Sequence, residues 1–214
     1  MDDIPGRIEH TVLGPLTAWE DVTEVLDAAV HHGMRACVPP CYVDEATDYA
    51  SGVAIATVIG FPHGQHSLET KCTEANQVWK AGAAEIDLVP NLGRAAAGEI
   101  EPFEAELEEI AATVPVPVKA ILEAPLFDDD QLRELAAVAA STDIDFLKTA
   151  TGFTEGGATV SDVELLSEYD DVKASGGIGS WAFARELLDA GADRIGASSG
   201  DVIVDQYREQ TGRE

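Results

Sequence analysis

The chain has 214 residues, with 13 Lys plus Arg against 40 Asp plus Glu, a formal charge of −27, and 45% hydrophobic residues. That apolar content is enough for a packed core and excludes an acidic disordered chain, while no run approaches the roughly 20 apolar residues of a membrane-spanning helix. MDDIPGRIEH has neither the basic start nor the apolar stretch of a signal peptide, and so much negative charge repels phosphate backbones and anionic headgroups, so the expectation is a cytoplasmic protein without nucleic-acid or membrane partners.

Three cysteines, two of them spaced as Cys37 and Cys41, suit neither a disulfide framework nor a common zinc spacing, and read as reduced thiols. The acidic residues are spread along the whole chain and only five lysines occur, Lys71, Lys80, Lys119, Lys148 and Lys173, which reads as a salt-adapted surface.

In chain order, the first apolar β-prone run is HTVL (10–13), followed by a helical stripe of Val22, Val25, Leu26, Ala29 and Val30 at i, i+3, i+4, i+7 spacing. Thr17 and Glu20 stand at capping-box spacing before it, and Gly33 marks its end. ACVPP (36–40) and VAIATVIG (53–60) are the next strands. A helix carrying Lys71 and Lys80 follows, both expected at the surface, and Gly82 ends it. EIDLVPN (85–91) is the fourth strand, GRAAAGEIEP (93–102) reads as a loop, and Phe103, Leu107, Ile110 and Ala111 form another helical stripe. VPVKAILE (116–123) precedes a helix with Leu132, Leu135, Ala136 and Ala139, and FLKTAT (146–151) precedes one that Ser161 and Glu164 would cap. DVKASGG (171–177) and RIGASS (194–199) complete eight strands, with Gly191 ending the helix between them.

Apolar strands separated by helices call for a parallel sheet with right-handed crossovers, and eight repeats favour closure. No GxGxxG follows the first strand and no composition break divides the chain. The expectation is one (β/α)8 TIM barrel domain over residues 1–214, with one of the first two units irregular.

Such a barrel carries its active site at the C-terminal strand ends. Lys119, Lys148 and Lys173 lie in strands although lysine is scarce elsewhere, and a buried ammonium is costly unless paired or used. For any one of them, a salt-bridged or snorkelling side chain is the structural alternative. Lys148 and Lys173 fall in adjacent strands at about 4.8 Å spacing, so their repulsion should free one amine as a nucleophile. Asp87 supplies a carboxylate for proton transfer, or else only neutralises a lysine. SGGIGS (175–180) and GASSG (196–200) each open a helix after the last two strands, where this fold often holds phosphate. His63 and His66 stand as HxxH without an evident third ligand, so no metal is expected, and Trp79 and Trp181 read as packing residues.

From Ile8 to Val204 the chain resembles the deoxyribose-phosphate aldolases, class I Schiff-base enzymes, through IEHTVL, ACVPPCYV, TVIGFPHG, EIDLVPN, KAILE, FLKTATGFTEGGAT, VKASGGI and RIGASSG in order. KTATGF and KASGGI are the most specific of these. The resemblance implies cleavage of 2-deoxy-D-ribose 5-phosphate to D-glyceraldehyde 3-phosphate and acetaldehyde, with Lys148 forming the imine, Lys173 tuning it and Asp87 in a proton relay with water. It implies phosphate contacts at Gly152, Gly176, Gly177, Gly196, Ser198 and Ser199, and neither a metal nor an organic cofactor. The chain departs from the family at Glu9, where Asp is usual, at Gly14, where Lys is usual, and at Pro39, in place of VNP. The first two are expected to tune the barrel mouth. Cys37 and Lys119 receive no role, and the sequence allows a homo-oligomer without specifying one. The rival readings are a Schiff-base aldolase for another phosphorylated sugar and a non-catalytic phosphate-sensing barrel.

Overall fold

In a computed structural model that describes residues 3–212, eight parallel strands pair in chain order and the last closes on the first. The two residues at each end of the expected domain 1–214 lie outside the described residues. The strands are β1 (Ile8–Thr11), β2 (Arg35–Val38), β3 (Ile55–Ile59), β4 (Glu85–Leu88), β5 (Val118–Ile121), β6 (Phe146–Lys148), β7 (Val172–Ser175) and β8 (Ala192–Ala197). Each falls in or against one of the eight apolar runs. The surrounding helices are α1 (Trp19–His32), α2 (Val43–Tyr49), α3 (Leu68–Lys80), α4 (Leu92–Ala96), α5 (Ile100–Ala111), α6 (Asp129–Ala139), α7 (Val160–Leu166), α8 (Trp181–Asp189) and α9 (Gly200–Thr211).

Strand side chains alternate between two faces, and the two faces here differ in kind. Ile8, Ile86, Leu88, Ala120, Leu147, Val172, Ala174 and Ile195 are fully buried against the helices and make the main core. The intervening positions, Glu9, Glu85, Asp87, Lys119, Lys173 and Arg194, carry charge into the barrel. The inner face is thus ionic along β1, β4, β5, β6, β7 and β8 and apolar where Cys37, Ala56, Val58 and Ile121 point inward, which explains how so many ionic groups fit within short buried runs.

Helix ends follow local chemistry with small departures from expectation. Gly33 closes α1 in the left-handed region at φ 76°, donating its N–H to Ala29 O at 2.9 Å. The start of α1 lies one residue later than the Thr17–Glu20 spacing suggests. Thr17 N is taken by Gly14 O in a turn at 3.1 Å, so Ala18 becomes the cap and its N–H bonds the Asp21 carboxylate at 2.7 Å. Val30, at the margin of the apolar stripe, is 62% exposed. At α7 the cap is Thr159, whose Oγ1 accepts from Asp162 N at 3.1 Å, rather than Ser161, which lies inside the helix.

Two other expectations are corrected. Residues 93–102 are mostly helical, because the Asn91 side chain caps α4 by accepting from Arg94 N at 3.1 Å, and α5 begins at Ile100. Lys71 is fully buried, not at the surface. Its Nζ bonds Gly64 O at 2.7 Å and the Glu106 carboxylate on α5, while Glu106 Oε2 accepts from Asn91 N at 2.9 Å. Lys80 is exposed, as expected. The irregular unit is the second, where a 3-10 turn (Pro40–Tyr42) leads into the seven-residue α2.

Candidate active site

The inward positions of β1, β4, β5, β6 and β7 bring three lysines around one carboxylate. Asp87 pairs in register with Lys119, and Lys148 with Lys173, as the adjacency of the sixth and seventh strands predicts. Asp87 Oδ2 lies 2.7 Å from Lys148 Nζ and 2.6 Å from Lys173 Nζ, and its Oδ1 is 3.0 Å from Lys119 Nζ. Glu9 bonds Lys173 and stands 3.6 Å from Lys119, which also meets Glu85 at 2.6 Å. Lys148 thus has one carboxylate partner, Lys173 two and Lys119 three.

This arrangement alters the like-charge argument made from the sequence. The two neighbouring ammonium groups share an oxygen of Asp87, so their repulsion is offset by a charge lying between them. Burial pushes the Asp87 carboxyl up, but Lys119, Lys148 and Lys173 outweigh it and hold it well below the ordinary carboxylate range. Glu9 behaves alike, burial raising it and Lys119 and Lys173 bringing it down below its usual value. For Lys173 burial favours the neutral amine, yet Asp87 and Glu9 win and raise it above the ordinary lysine value. Lys173 is therefore the fixed cation of the pair.

A cavity of about 420 Å³ opens over Lys148 and Lys173 at the C-terminal end of the barrel. Gly152, Gly176, Gly177, Gly196, Ser198 and Ser199 line it as well. Of the residues expected in the site, Asp87 alone is absent from that lining; it is fully buried beneath the two amines and reaches the cavity through them. Gly196 has to be glycine, since a Cβ there would meet Lys173 Cε at 2.9 Å and Ser175 Cβ at 3.2 Å.

Helix termini add less to the anion site than the glycine loops do. Ser180 already caps α8, accepting from Phe183 N at 3.4 Å, and Gln206 accepts from Trp181 N at 2.9 Å. Gly200 N, at the start of α9, donates to His10 Nδ1 at 3.2 Å, and burial keeps that imidazole below its usual range and so neutral. The loop Gly176–Gly179 and the pair Ser198 and Ser199 remain facing the cavity.

Glu9 lies inside the barrel among the lysines rather than at its mouth, whereas Gly14 does line the cavity mouth. Pro39 precedes the 3-10 turn after β2. Glu85, not singled out from the sequence, links the cluster to Arg35 at 2.7 Å and to Arg194 at 3.6 Å at the opposite end of the barrel. Its signal was a second acidic residue two positions before Asp87 on the same strand face. Glu9, Cys37 and Asp87 place donor atoms within 4.8 Å of one another, a set that can ligate a metal. Here both carboxylates face ammonium groups, and burial pushes the Cys37 thiol up to about 11, so that it is protonated near neutral pH. His63 and His66 are exposed.

Residues 9–204, spanning every member of the cluster, match the model of the DeoC/LacD family aldolases. The chain belongs to the DeoC/LacD aldolase family. Among DeoC/LacD-type relatives, the deoxyribose-phosphate aldolase of Natronomonas pharaonis is 58% identical over 96% of this chain and 95% of its own. That of Haloarcula marismortui is 54% identical over 100% and 92%. Both come from salt-loving archaea. Of solved structures, the aldolase QR15 superposes with a TM-score of 0.95 at 32% identity, covering 99% and 98% of the two chains. The tetrameric deoxyribose phosphate aldolase of Aeropyrum pernix gives 0.87 at 34% identity over 96% and 91%. The closed barrel is that of its aldolase neighbours.

Proposed function

We propose that this protein is a class I aldolase that reversibly cleaves 2-deoxy-D-ribose 5-phosphate into D-glyceraldehyde 3-phosphate and acetaldehyde, with Lys148 as the imine-forming residue. The observation that carries this reading is the cluster itself: two cavity-facing amines joined through one oxygen of Asp87. Of the three lysines, Lys148 has the fewest carboxylate partners, and it opens on the cavity.

Neutral Lys148 Nζ attacks C1 of the open-chain aldehyde, and loss of water leaves an iminium. Acetaldehyde takes two carbons, so the bond that breaks is C2–C3. As the C3 hydroxyl loses its proton, the electron pair of that bond moves into the iminium and C3 leaves as the aldehyde carbon of glyceraldehyde 3-phosphate. The enamine left on Lys148 takes a proton at C2, and water releases acetaldehyde. Lys173 stays cationic and favours the neutral amine beside it. Asp87 Oδ2, bonded to both amines, relays the Lys148 proton, through a water, to and from the substrate, while Lys173 keeps its own. The glycine loops with Ser198 and Ser199 hold the phosphate through backbone N–H groups and hydroxyls.

A charge of −27 and relatives that are aldolases support small phosphorylated sugars and aldehydes as the partners, in the cytoplasm, rather than nucleic acid or membrane. No helix among the described residues is long and apolar enough to cross a membrane. The test is incubation with acetaldehyde and borohydride followed by peptide mass mapping. A two-carbon adduct on the peptide containing Lys148 is expected; an adduct elsewhere, or none, refutes the assignment.

A further inference from the structure

Glu123, two residues beyond β5, is the one non-glycine residue among those described with a positive φ, at 50°. An L side chain is disfavoured there, and such a backbone persists only where its surroundings hold it. Its neighbours do so. Leu122 N donates to Lys148 O at 2.9 Å and Ala124 N to Thr149 O at 2.8 Å, so the chain on either side of Glu123 goes on pairing with the end of β6. The left-handed turn between them sends the side chain toward the loop that follows Lys148.

The Glu123 carboxyl is buried at 1% exposure, and both its oxygens accept from Thr151 N, at 3.1 and 3.2 Å, while Oε1 also accepts from Thr154 Oγ1 at 2.9 Å. Thr151 Oγ1 in turn accepts from Phe153 N at 3.1 Å, closing a tight turn about Gly152, whose φ is 82°. Thr151 and Gly152 line the cavity over Lys148; Glu123 does not, and lies behind the loop against a second groove with Leu126 and Phe127. On its far side the same loop is fastened to the next glycine turn, Ala158 N donating to Gly176 O at 3.0 Å.

We propose that Glu123 is a positioning residue for phosphate recognition: its buried carboxylate holds the Thr151–Gly152 turn and thereby fixes the distance between the amine of Lys148 and the phosphate end of the cavity. The inference rests on the roles of Lys148 and the glycine turns proposed above. A carboxyl group with two acceptor oxygens suits the task because one side chain must serve a buried N–H and a hydroxyl at once. A glutamine offers a single acceptor oxygen, and an apolar residue would leave Thr151 N unmet.

Glu123→Gly separates the carboxylate from the backbone, since glycine adopts the left-handed turn without steric cost. In that variant KM for 2-deoxyribose 5-phosphate should rise about tenfold, with Glu123→Gln raising it about threefold. Turnover of unphosphorylated 2-deoxyribose and borohydride trapping of acetaldehyde should fall less than about threefold in both. Inhibition by inorganic phosphate should weaken in step with KM. An unchanged KM in Glu123→Gly, or equal losses on the phosphorylated and unphosphorylated sugars, overturns the role of Glu123. If Glu123→Gly does not fold, the same ratio measured in Glu123→Gln decides. A parent protein that shows no preference for the phosphorylated sugar refutes the phosphate reading itself, and this inference with it.

Discussion

Lys173 illustrates how a single residue can be fixed in charge by its partners. Asp87 and Glu9 lift it above the ordinary value of 10.5 in spite of burial, so its contribution to stability is full below that value and is lost only as pH rises through the folded one. Glu9 and Asp87 are depressed, so theirs is present above their ordinary values of 4.5 and 3.8 and is lost as pH falls through the lower folded ones. Across the interval between 4.5 and 10.5 Glu9 and Asp87 stay ionised and Lys173 stays protonated. Lys173→Met removes the cation that shares Asp87 with Lys148, leaving the carboxylate to hold the Lys148 proton alone. The rising limb of the pH profile for imine formation should then move alkaline by about one unit or more, with a lower rate at neutral pH. A profile superposable on that of the parent removes Lys173 from the mechanism. Gly196 is a poor probe of the phosphate site for the same reason, since its replacement presses on Lys173. Gly177 has open space around it but stands at φ 75°, so a side chain there strains the loop itself without pressing on Lys173.

At the scale of elements, α3 and α5 are joined through the buried pair of Lys71 and Glu106, which also ties down the turns after β3 and β4 through Gly64 and Asn91. Removing one member leaves the other charged and buried, so Glu106→Ala should cost about 3–5 kcal/mol of stability, whereas Lys71→Met with Glu106→Leu should recover most of it. Urea unfolding of the two variants measures the difference, and a double variant as unstable as the single one would show that the pair is more than mutual neutralisation. The signal for this pair was present but easily passed over. Phe103, Leu107 and Ile110 define the buried stripe of α5, and Glu106 falls within that stripe, where an unpaired carboxylate cannot remain. Barrel, strands and most helices were legible because apolar runs and their spacing report burial directly. Lys148 and Lys173 stood out because lysine is absent from nearly every surface position. Glu123 was not legible: its turn conformation and its hold on Thr151 depend on β5 and β6 lying side by side. Nor was the sharing of Asp87 by three amines, which a pairwise reading of neighbouring strands misses.

For the molecule as a whole, the charge of −27 is distributed over a surface with few cations, and exposed pairs such as Arg94–Glu99 and Arg133–Glu168 neutralise little of it. Mutual repulsion among those carboxylates opposes the folded state. Salt at about 1 M shortens the screening length to about 3 Å, which suppresses repulsion across the surface and leaves the buried cluster nearly untouched. The thermal midpoint should therefore climb steadily from low salt to several molar KCl, with imine formation persisting throughout. A flat or falling curve would disconnect the acidity from salt adaptation.

The closure of β8 on β1 has a consequence in time as well as in space. Glu9 and Lys173 are 164 positions apart and meet only once the first strand has been joined to the last. While a chain is still being synthesised, Glu9 has emerged long before Lys173 exists, so this contact waits longest among those of the cluster in order of the chain. The second carboxylate of Lys173 is thus supplied only by the finished ring, and with it the full neutralisation of that ammonium.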